Sequence, residues 1–303
     1  MFELLFLGTS ASAPSVSRNV TSTLLLYREY RFLIDAGEGT QRQLLQSGVG
    51  FRKLEHVLLT HGHLDHILGL AGLVSTFSRW DIEKQTLCIY GTRHTLQRVR
   101  DLVLGVALRG QRTRLWIEFK ELTDGVFFED AKFQISAFPV QHRGSDSLGY
   151  LFQTKARRPF LNEQADALGV PFGPERSQLV KGEAITLPDG RVIHPDDVLG
   201  PAIPGKKLVY IGDVDNPQSL LPIVRNADAL IIEATYADEE SQMVRTHGHI
   251  TARTAATFAR KANIKALYLN HISRRYNGRE LQTQAREVFP NAVVVRDFDR
   301  VTV

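Results

Sequence analysis

Residues 60–66, Thr60-His61-Gly62-His63-Leu64-Asp65-His66, follow directly on the apolar run Val57-Leu58-Leu59. Four groups able to ligate a metal fall within six residues, a density that a hydrophobic core cannot absorb. The run before them reads as a strand and the residues after Leu64 as a helix, so the four occupy a strand-to-helix loop. Two imidazoles one residue apart in a tight loop, His61 and His63, can present two nitrogens to one ion. Asp65 and His66, adjacent and leading into the helix, point elsewhere and suit a second ion. Imidazole and carboxylate are ligands of borderline metals such as zinc, at about 2.0–2.2 Å. The chain has one cysteine, Cys88, which excludes both a cysteine-based zinc site and a disulfide framework. Metal chemistry therefore falls to histidine and aspartate.

Outward from this loop, strands alternate with helices. Residues 2–9, 22–27 and 30–36 read as strands, with a charged turn at Arg28-Glu29, and a short helix over 39–46 ends at Gly48. A strand at 55–60, a helix at 64–74, a strand at 87–92 and a helix at 93–105 follow. Residues 127–142 and 147–154 alternate well enough to be long antiparallel strands. The alternation then resumes, with strands at 208–212, 229–234 and 266–270 interleaved with helices at 218–225, 251–262 and 279–288, and closing strands at 293–296 and 300–303. Strands with helices on their outer faces fit a sandwich of two sheets, with ligands gathered in loops beyond strand ends. Residues 155–205 break the rhythm: they hold seven of the twelve prolines and no clear period. So long a stretch is either a disordered surface insertion or an independently projecting functional element.

The 303 residues are 43% hydrophobic and 23% charged, with 37 Lys+Arg against 33 Asp+Glu and a formal charge of +4. That balance excludes intrinsic disorder, and the length allows one large or two modest domains. No apolar run approaches the roughly 18–20 residues of a membrane span. Residues 1–8 read as a strand, without the basic region or cleavage site of a signal peptide, so a soluble cytoplasmic protein is expected.

Further ligands are expected at strand ends far along the chain. His142 closes Pro139-Val140-Gln141-His142, Asp213 closes Tyr210-Ile211-Gly212-Asp213, and His271 closes Tyr268-Leu269-Asn270-His271. Each alone reads as a polar strand-end residue. Together they complete two sites, with one carboxylate left over to bridge.

The pattern His61-x-His63-x-Asp65-His66 with His142, Asp213 and His271 resembles the dinuclear metal signature of the metallo-β-lactamase fold. Within that superfamily, Leu33-Ile34-Asp35-Ala36-Gly37-Glu38-Gly39-Thr40-Gln41-Arg42-Gln43-Leu44 resembles the ribonuclease Z family of tRNA 3′-processing endonucleases. So do Arg18-Asn19, Gly69-Leu70-Ala71-Gly72-Leu73, and His271-Ile272-Ser273 with Arg275-Tyr276. The irregular segment resembles that family's arm at Gly173-Pro174, Lys181-Gly182-Glu183, Asp189-Gly190 and 195–200. The chain departs from the family pattern at Ile232, where histidine is usual, and at Val214, where threonine is usual. It also departs at Gly62 and Leu64, whose size order is reversed, and at Ser15-Val16-Ser17, which replaces a more basic run.

The resemblance implies an α/β fold: the four-layer αβ/βα metallo-β-lactamase sandwich, as one domain over residues 1–303, with residues 155–205 inserted as a tRNA-binding arm (exosite). It implies two Zn2+ per subunit, with Mn2+ or another divalent metal left open. His61, His63 and His142 would hold one ion, Asp65, His66 and His271 the other, and Asp213 would bridge. It further makes Asp65 the proton acceptor, His249 the proton donor to the leaving 3′ oxygen and Glu233 the carboxylate that orients His249. Two metals about 3.5–4 Å apart suit phosphodiester hydrolysis because they stabilise the charge of its transition state. Asp35 reads as a partner orienting a ligand imidazole. His56, His94 and His194 read as polar surface or loop histidines, and Cys88 as a packed small side chain.

The expected partners are precursor tRNA and a second copy of the chain, whose arm would grip the tRNA, and no membrane. Between Arg79 and Arg114, eight basic residues (Arg79, Lys84, Arg93, Arg98, Arg100, Arg109, Arg112, Arg114) meet three acidic ones (Asp81, Glu83, Asp101), a local excess of +5. Such a cluster suits a phosphate backbone or is a solvated helix face. Lys155, Arg157 and Arg158 open the arm segment, and Arg274, Arg275 and Arg279 follow His271. The expected function is zinc-dependent endoribonucleolytic removal of 3′ trailers from tRNA precursors. The alternatives are a general phosphodiesterase or a lactone or ester hydrolase of the same fold, and a catalytically silent RNA-binding protein.

Overall fold

Alternation along the first strand sets the layers. In β1 (Glu3–Gly8), Leu4 and Phe6 enter one apolar cluster and Leu5 and Leu7 another, because successive side chains leave opposite faces of a strand. The same split recurs in β2 (Ser22–Tyr27), where Leu25 and Leu24 divide the same way. The computed structural model describes residues 1–79 and 86–303; Lys84, Asp81 and Glu83 of the basic cluster lie outside the described residues.

The first sheet continues through β3 (Tyr30–Ile34), β4 (His56–Leu58), β5 (Thr86–Gly91) and β6 (Trp116–Glu121). The second begins with β7 (Gly125–Glu129), β8 (Phe133–His142) and β9 (Ser145–Thr154). A small hairpin, β10 (Ile185–Thr186) and β11 (Val192–Ile193), belongs to neither. The second sheet resumes with β12 (Lys207–Tyr210), β13 (Ala229–Glu233), β14 (Ala266–Asn270) and β15 (Val293–Val294), and β16 (Arg300–Thr302) returns to the first. The strand orders are β16-β1-β2-β3-β4-β5-β6 and β15-β14-β13-β12-β9-β8-β7. Each sheet is antiparallel at one end and parallel at the other, with β3-β4-β5-β6 and β12-β13-β14-β15 parallel.

The two sheets share an aromatic-rich interior in which Phe2, Phe6 and Phe32 meet Phe133, Tyr150 and Phe152. Outside the first sheet, helices Thr40–Gln46, Gly69–Arg79 and Arg93–Arg100 bury Leu44, Leu73, Phe77 and Val99. Outside the second, helices Ala252–Lys261 and Arg279–Arg286 bury Phe258 and Leu281. The result is the four-layer αβ/βα sandwich. Among the described residues, no helix is long and apolar enough to cross a membrane.

Several elements differ from the sequence reading. Residues 127–142 do not form one strand: Asp130 Oδ1 accepts the backbone N–H groups of Lys132 and Phe133 and turns the chain between β7 and β8. The helix expected over 64–74 is two, Leu64–Ile67 and Gly69–Arg79. A Cβ at Gly69 would lie 2.0 Å from the Gly37 carbonyl oxygen, so the second helix can approach the β3 end only as glycine. The helix from Arg93 passes at Arg100 into a π-helical turn, Asp101–Ala107. Residues 155–205 are a folded element. Helices Asn162–Ala167, Pro174–Lys181 and Pro195–Val198 and the β10-β11 hairpin enclose their own small core of Ala165, Val170, Leu179, Ile185, Leu187, Ile193 and Val198.

His56 is not a surface histidine either. Its ring stacks on Phe32 at 5.1 Å, meets Phe128 edge-on at 5.4 Å, and has its Nδ1 3.3 Å from the Tyr90 hydroxyl. Burial, helped by the charge of Lys120, lowers its pKa to about 4. The imidazole is therefore held neutral in the fold, while in the unfolded chain it takes a proton near pH 6.5. Its contribution to stability is complete above that pH and is lost as the pH falls from about 6.5 towards 4. Denaturant titrations at pH 7 and pH 5 should show His56→Leu losing about 1–2 kcal/mol less than the parent protein over that interval. Equal losses in the two proteins would show that His56 is not the acid-sensitive group.

Candidate metal centre

The carboxyl ends of the central strands converge at one edge of the sandwich, the usual place for a site in open α/β sheets. Thr60 and the 61–66 loop follow β4, His142 ends β8, Asp213 follows β12, Glu233 ends β13, and His271 follows β14. Asp35, just beyond β3, and His271 both adopt left-handed backbone, at φ 56°. That conformation costs an L-residue roughly 1–2 kcal/mol; here it turns the chain at each strand end so that the side chain faces the edge.

The structure brings all seven candidate ligands together. One group comprises His61, His63, His142 and Asp213, and another Asp65, His66 and His271, with ligating atoms within 4.8 Å of one another in each. Asp213 stands between them and divides its oxygens. Its Oδ1 lies 3.5 Å from His66 Nε2 and 3.3 Å from His271 Nε2, and its Oδ2 lies 3.7 Å from His61 Nε2 and 3.8 Å from His142 Nε2. Asp65 Oδ2 is 3.4 Å from His271 Nε2 and 3.6 Å from His66 Nε2, and accepts the Ser12 backbone N–H at 2.8 Å.

The partners behind the rings decide which nitrogens face inward. His142 Nδ1 lies 2.7 Å from the Gly248 carbonyl, which can only accept, so this nitrogen carries the hydrogen and Nε2 is bare. His66 Nδ1 is 2.8 Å from Asp35 Oδ2. His61 Nδ1 is 3.1 Å from the Thr60 hydroxyl, which itself donates to Asp35 Oδ2 at 2.8 Å. Such outer partners orient ligating imidazoles and fix their tautomers. His63 differs, presenting Nδ1, 2.8 Å from His61 Nε2. Glycine suits position 248: its φ is +68°, and a Cβ there would lie 2.3 Å from Arg143 Cγ and 2.5 Å from Asp215 Oδ1, so both side chains would have to move.

This donor set fits a divalent cation. His142 Nε2 and Asp213 Oδ1 are buried without a hydrogen-bond partner, a condition costing about 1–3 kcal/mol per group unless something satisfies it. Both face the common centre, where bare imidazole nitrogens meet one another. Electrostatics agree. Burial would raise the Asp213 carboxyl, but the charges of His271 and His66 hold it well below the usual carboxylate range. Burial would likewise depress His66, yet Asp213, Asp65 and Asp35 raise it well above an ordinary imidazole. Buried anionic oxygens thus demand positive charge here, which a proton on His66 or a metal ion supplies.

Beside the cluster, His249 Nδ1 sits 3.1 Å from Glu233 Oε1, with its ring centroid 5.3 Å from those of His142 and His271. Burial would lower this imidazole, but the Glu233 carboxylate, by charge and hydrogen bond, raises it to about 9. His247 lies against Tyr236 instead. The departures from the family pattern are local. Ile232 and Val214 both pack in the outer apolar cluster, and Val214 also gives its backbone N–H to Glu233 Oε1 at 2.7 Å, which any non-proline residue provides. Sequence reasoning missed the supporting groups Thr60, Thr235 and Gly248. Their only signal was adjacency: Thr60 precedes the metal loop, Thr235 follows Glu233 by two positions, and Gly248 precedes His249.

Two family models match the chain, one described as anti-Pycsar protein Apyc1 over residues 2–160 and one as beta-lactamase superfamily domain over residues 175–272. The first ends and the second begins inside the 155–205 segment, so neither spans the whole ligand set. Curated relatives do. The ribonuclease Z of Bradyrhizobium diazoefficiens is 46% identical over 303 residues, covering 100% of both chains. The ribonuclease Z of Bradyrhizobium sp. (strain ORS 278) is also 46% identical over 303 residues, again covering 100% of both. Among solved structures, human tRNase Z, short form, shares the fold with a TM-score of 0.69 at 24% identity, over 99% of this chain and 98% of that one.

Proposed function

The chain belongs to the ribonuclease Z family, and from that premise we propose that it is a zinc-dependent endoribonuclease that removes 3′ trailers from tRNA precursors in the cytoplasm. What carries the reading is the convergence of all seven candidate ligands at one edge of the sandwich, in a chain that its relatives match from end to end. His61, His63 and His142 would hold one Zn2+, Asp65, His66 and His271 the other, and Asp213, between the two groups, would serve both. When bound, such ions supply Lewis-acid charge to a phosphodiester and acidify water. Asp65, whose side chain keeps 13% of its surface at the rim, orients the attacking water and takes its proton. His249, kept protonated by Glu233, gives a proton to the leaving 3′ oxygen.

Residues 155–205 are proposed as the arm that holds the tRNA away from the cleavage site, in a homodimer where each arm serves the partner's site. Its six basic residues are outnumbered by seven acidic ones. Arg158 donates to the Gly200 and Leu199 carbonyls and pairs with Asp196, and Lys155 pairs with Glu129. The arm therefore carries no net positive charge to draw a phosphate backbone. Phe172 offers another means of contact. It is 80% exposed, and its ring lies 3.6 Å from the Arg176 guanidinium carbon. Arg176 is itself buried and bonded to the Val170 and Pro171 carbonyls, Asn162 and Asp166. The outer face of a ring held this way suits a nucleobase, a contact worth about 1–3 kcal/mol. Phe172→Ala should raise KM for precursor tRNA about tenfold, by that estimate; an unchanged KM would remove Phe172 from the RNA contact.

The whole reading is tested with purified protein, zinc and a precursor tRNA carrying a 3′ trailer. Cleavage directly after the discriminator nucleotide is expected. No cleavage with zinc or manganese supplied would reject the reading, and hydrolysis of a small phosphodiester alone would replace it with a general phosphodiesterase.

A further inference from the structure

We propose that Thr235 is a positioning residue whose single hydroxyl hydrogen links the second metal position to the His249–Glu233 pair, an inference that rests on the metal-dependent reading above. Thr235 is 2% exposed. Its Oγ1 lies 2.6 Å from Glu233 Oε2, 3.0 Å from His271 Nδ1 and 3.0 Å from the His271 carbonyl oxygen. A hydroxyl has one hydrogen to give and lone pairs to accept with. The shortest contact, to a carboxylate oxygen, is the length of a charge-assisted O–H···O bond, so the hydrogen goes to Glu233. His271 Nδ1 must then be the donor into the Thr235 lone pair, and the His271 carbonyl receives nothing from this hydroxyl.

That assignment fixes the tautomer. With its hydrogen on Nδ1, His271 turns a bare Nε2 towards Asp65 Oδ2 and Asp213 Oδ1, at 3.4 and 3.3 Å. Among the described residues, Thr235 is the hydrogen-bond partner of His271 Nδ1, and His271 stands on left-handed backbone at φ 56°. Packing against the His66 and His249 rings holds the plane of the ring, and the Thr235 contact settles which nitrogen carries the hydrogen. The comparison with Thr60 sharpens the point. Thr60 relays His61 to Asp35, but Asp35 also reaches His66 Nδ1 directly at 2.8 Å. At the second position Asp35 thus holds His66, while His271, the other imidazole there, has the Thr235 hydroxyl on its Nδ1.

Glu233 divides its oxygens accordingly. Oε2 takes the Thr235 hydroxyl and, at 3.3 Å, the Ile250 N–H, while Oε1 takes His249 Nδ1 at 3.1 Å and the Val214 N–H at 2.7 Å. One carboxylate thus holds the proposed proton donor with one oxygen and, through Thr235, a proposed metal ligand with the other. Removing the hydroxyl leaves the His271 tautomer unset and loosens Glu233, so metal affinity and His249 alignment fall together.

The test compares Thr235→Val, which keeps shape and removes the hydroxyl, with Thr235→Ser, which keeps the hydroxyl. Zinc binding to the demetallated full-length protein is measured by calorimetry with a competing chelator, with no RNA present. Thr235→Val should weaken one of two zinc sites about 10–100-fold, the range for losing an outer partner of a ligand. Its kcat should fall with little change in KM, and Thr235→Ser should restore both quantities to within a few-fold. Native zinc binding in Thr235→Val would overturn the proposal, as would a Thr235→Ser variant as weak as Thr235→Val. If Thr235→Val does not fold, Thr235→Cys, similar in size and a poor hydrogen-bonding group, takes its place with the same expected outcomes. Because zinc affinity is read without substrate, a parent protein that fails to cleave tRNA would sink the tRNA reading and leave this measurement standing.

Discussion

Asp65→Ala is expected to slow cleavage of a precursor tRNA by about 10⁴-fold, the upper range for loss of a general base, while RNA binding stays within a few-fold of the parent protein. The expectation comes from the position of Asp65. Its Oδ2 is anchored by the Ser12 N–H at 2.8 Å and faces His66 and His271, so the side chain reaches the proposed second ion and the rim at once. Burial would raise its pKa, but the charge of His66, the largest opposing influence, holds it well below the usual carboxylate range. Such a carboxylate stays ionised as a ligand but is a weak base. It can assist only a water already made acidic, which divides its contribution into two separable parts. Zinc titration of the variant separates them: if Asp65 also handles the proton, kcat stays low when metal binding is saturated. Full recovery at saturating zinc would reduce Asp65 to a ligand. Loss of RNA binding in step with cleavage would make it a structural prop.

What the sequence disclosed about this site depended on the kind of side chain involved. The loop 60–66 was legible because imidazoles and carboxylates at that density have no other physical use, and the run Val57-Leu58-Leu59 before it is apolar. His142, Asp213 and His271 were legible as polar residues closing apolar strands. Thr60, Thr235 and Gly248 were not, since a hydroxyl or a backbone carbonyl gains meaning only from what stands opposite it in space. The sandwich followed from strands alternating with helices along the chain, since β1 and β2 are apolar on both faces and show no period of two. Alternation failed at β6, an edge strand with both faces partly exposed, which the sequence left without an element. It failed also at the β7-β8 turn, where Asp130 reverses the chain without a glycine or proline in the turn. In residues 155–205 the elements are too short for any period to show, although their seven-residue core is real.

His249→Ala should lower kcat for tRNA cleavage by about 10²–10⁴-fold, the usual worth of a positioned general acid. The leaving 3′ oxygen of a nucleotide is a poor leaving group without a proton, and His249, within 4.8 Å of the ligating atoms of Asp213 and His271, stands beside the seven proposed ligands with Glu233 as its own partner. Only the protonated imidazole can donate, so the rate should be sustained below its pKa and fall as pH rises through it. Glu233 raises that value to about 9 against burial, and Asp213 adds to the rise; bound divalent cations, being positive, draw it down. Glu233→Gln keeps a similar shape and removes the negative charge, so the basic limb of the kcat profile should move to lower pH by about 1–2 units. A p-nitrophenyl phosphodiester supplies the control, because its leaving group departs without a proton. His249→Ala should cost far less on that substrate than on tRNA. A limb that Glu233→Gln leaves in place, or equal losses on the two substrates, would remove His249 from proton donation and return it to a purely structural role beside Asp213.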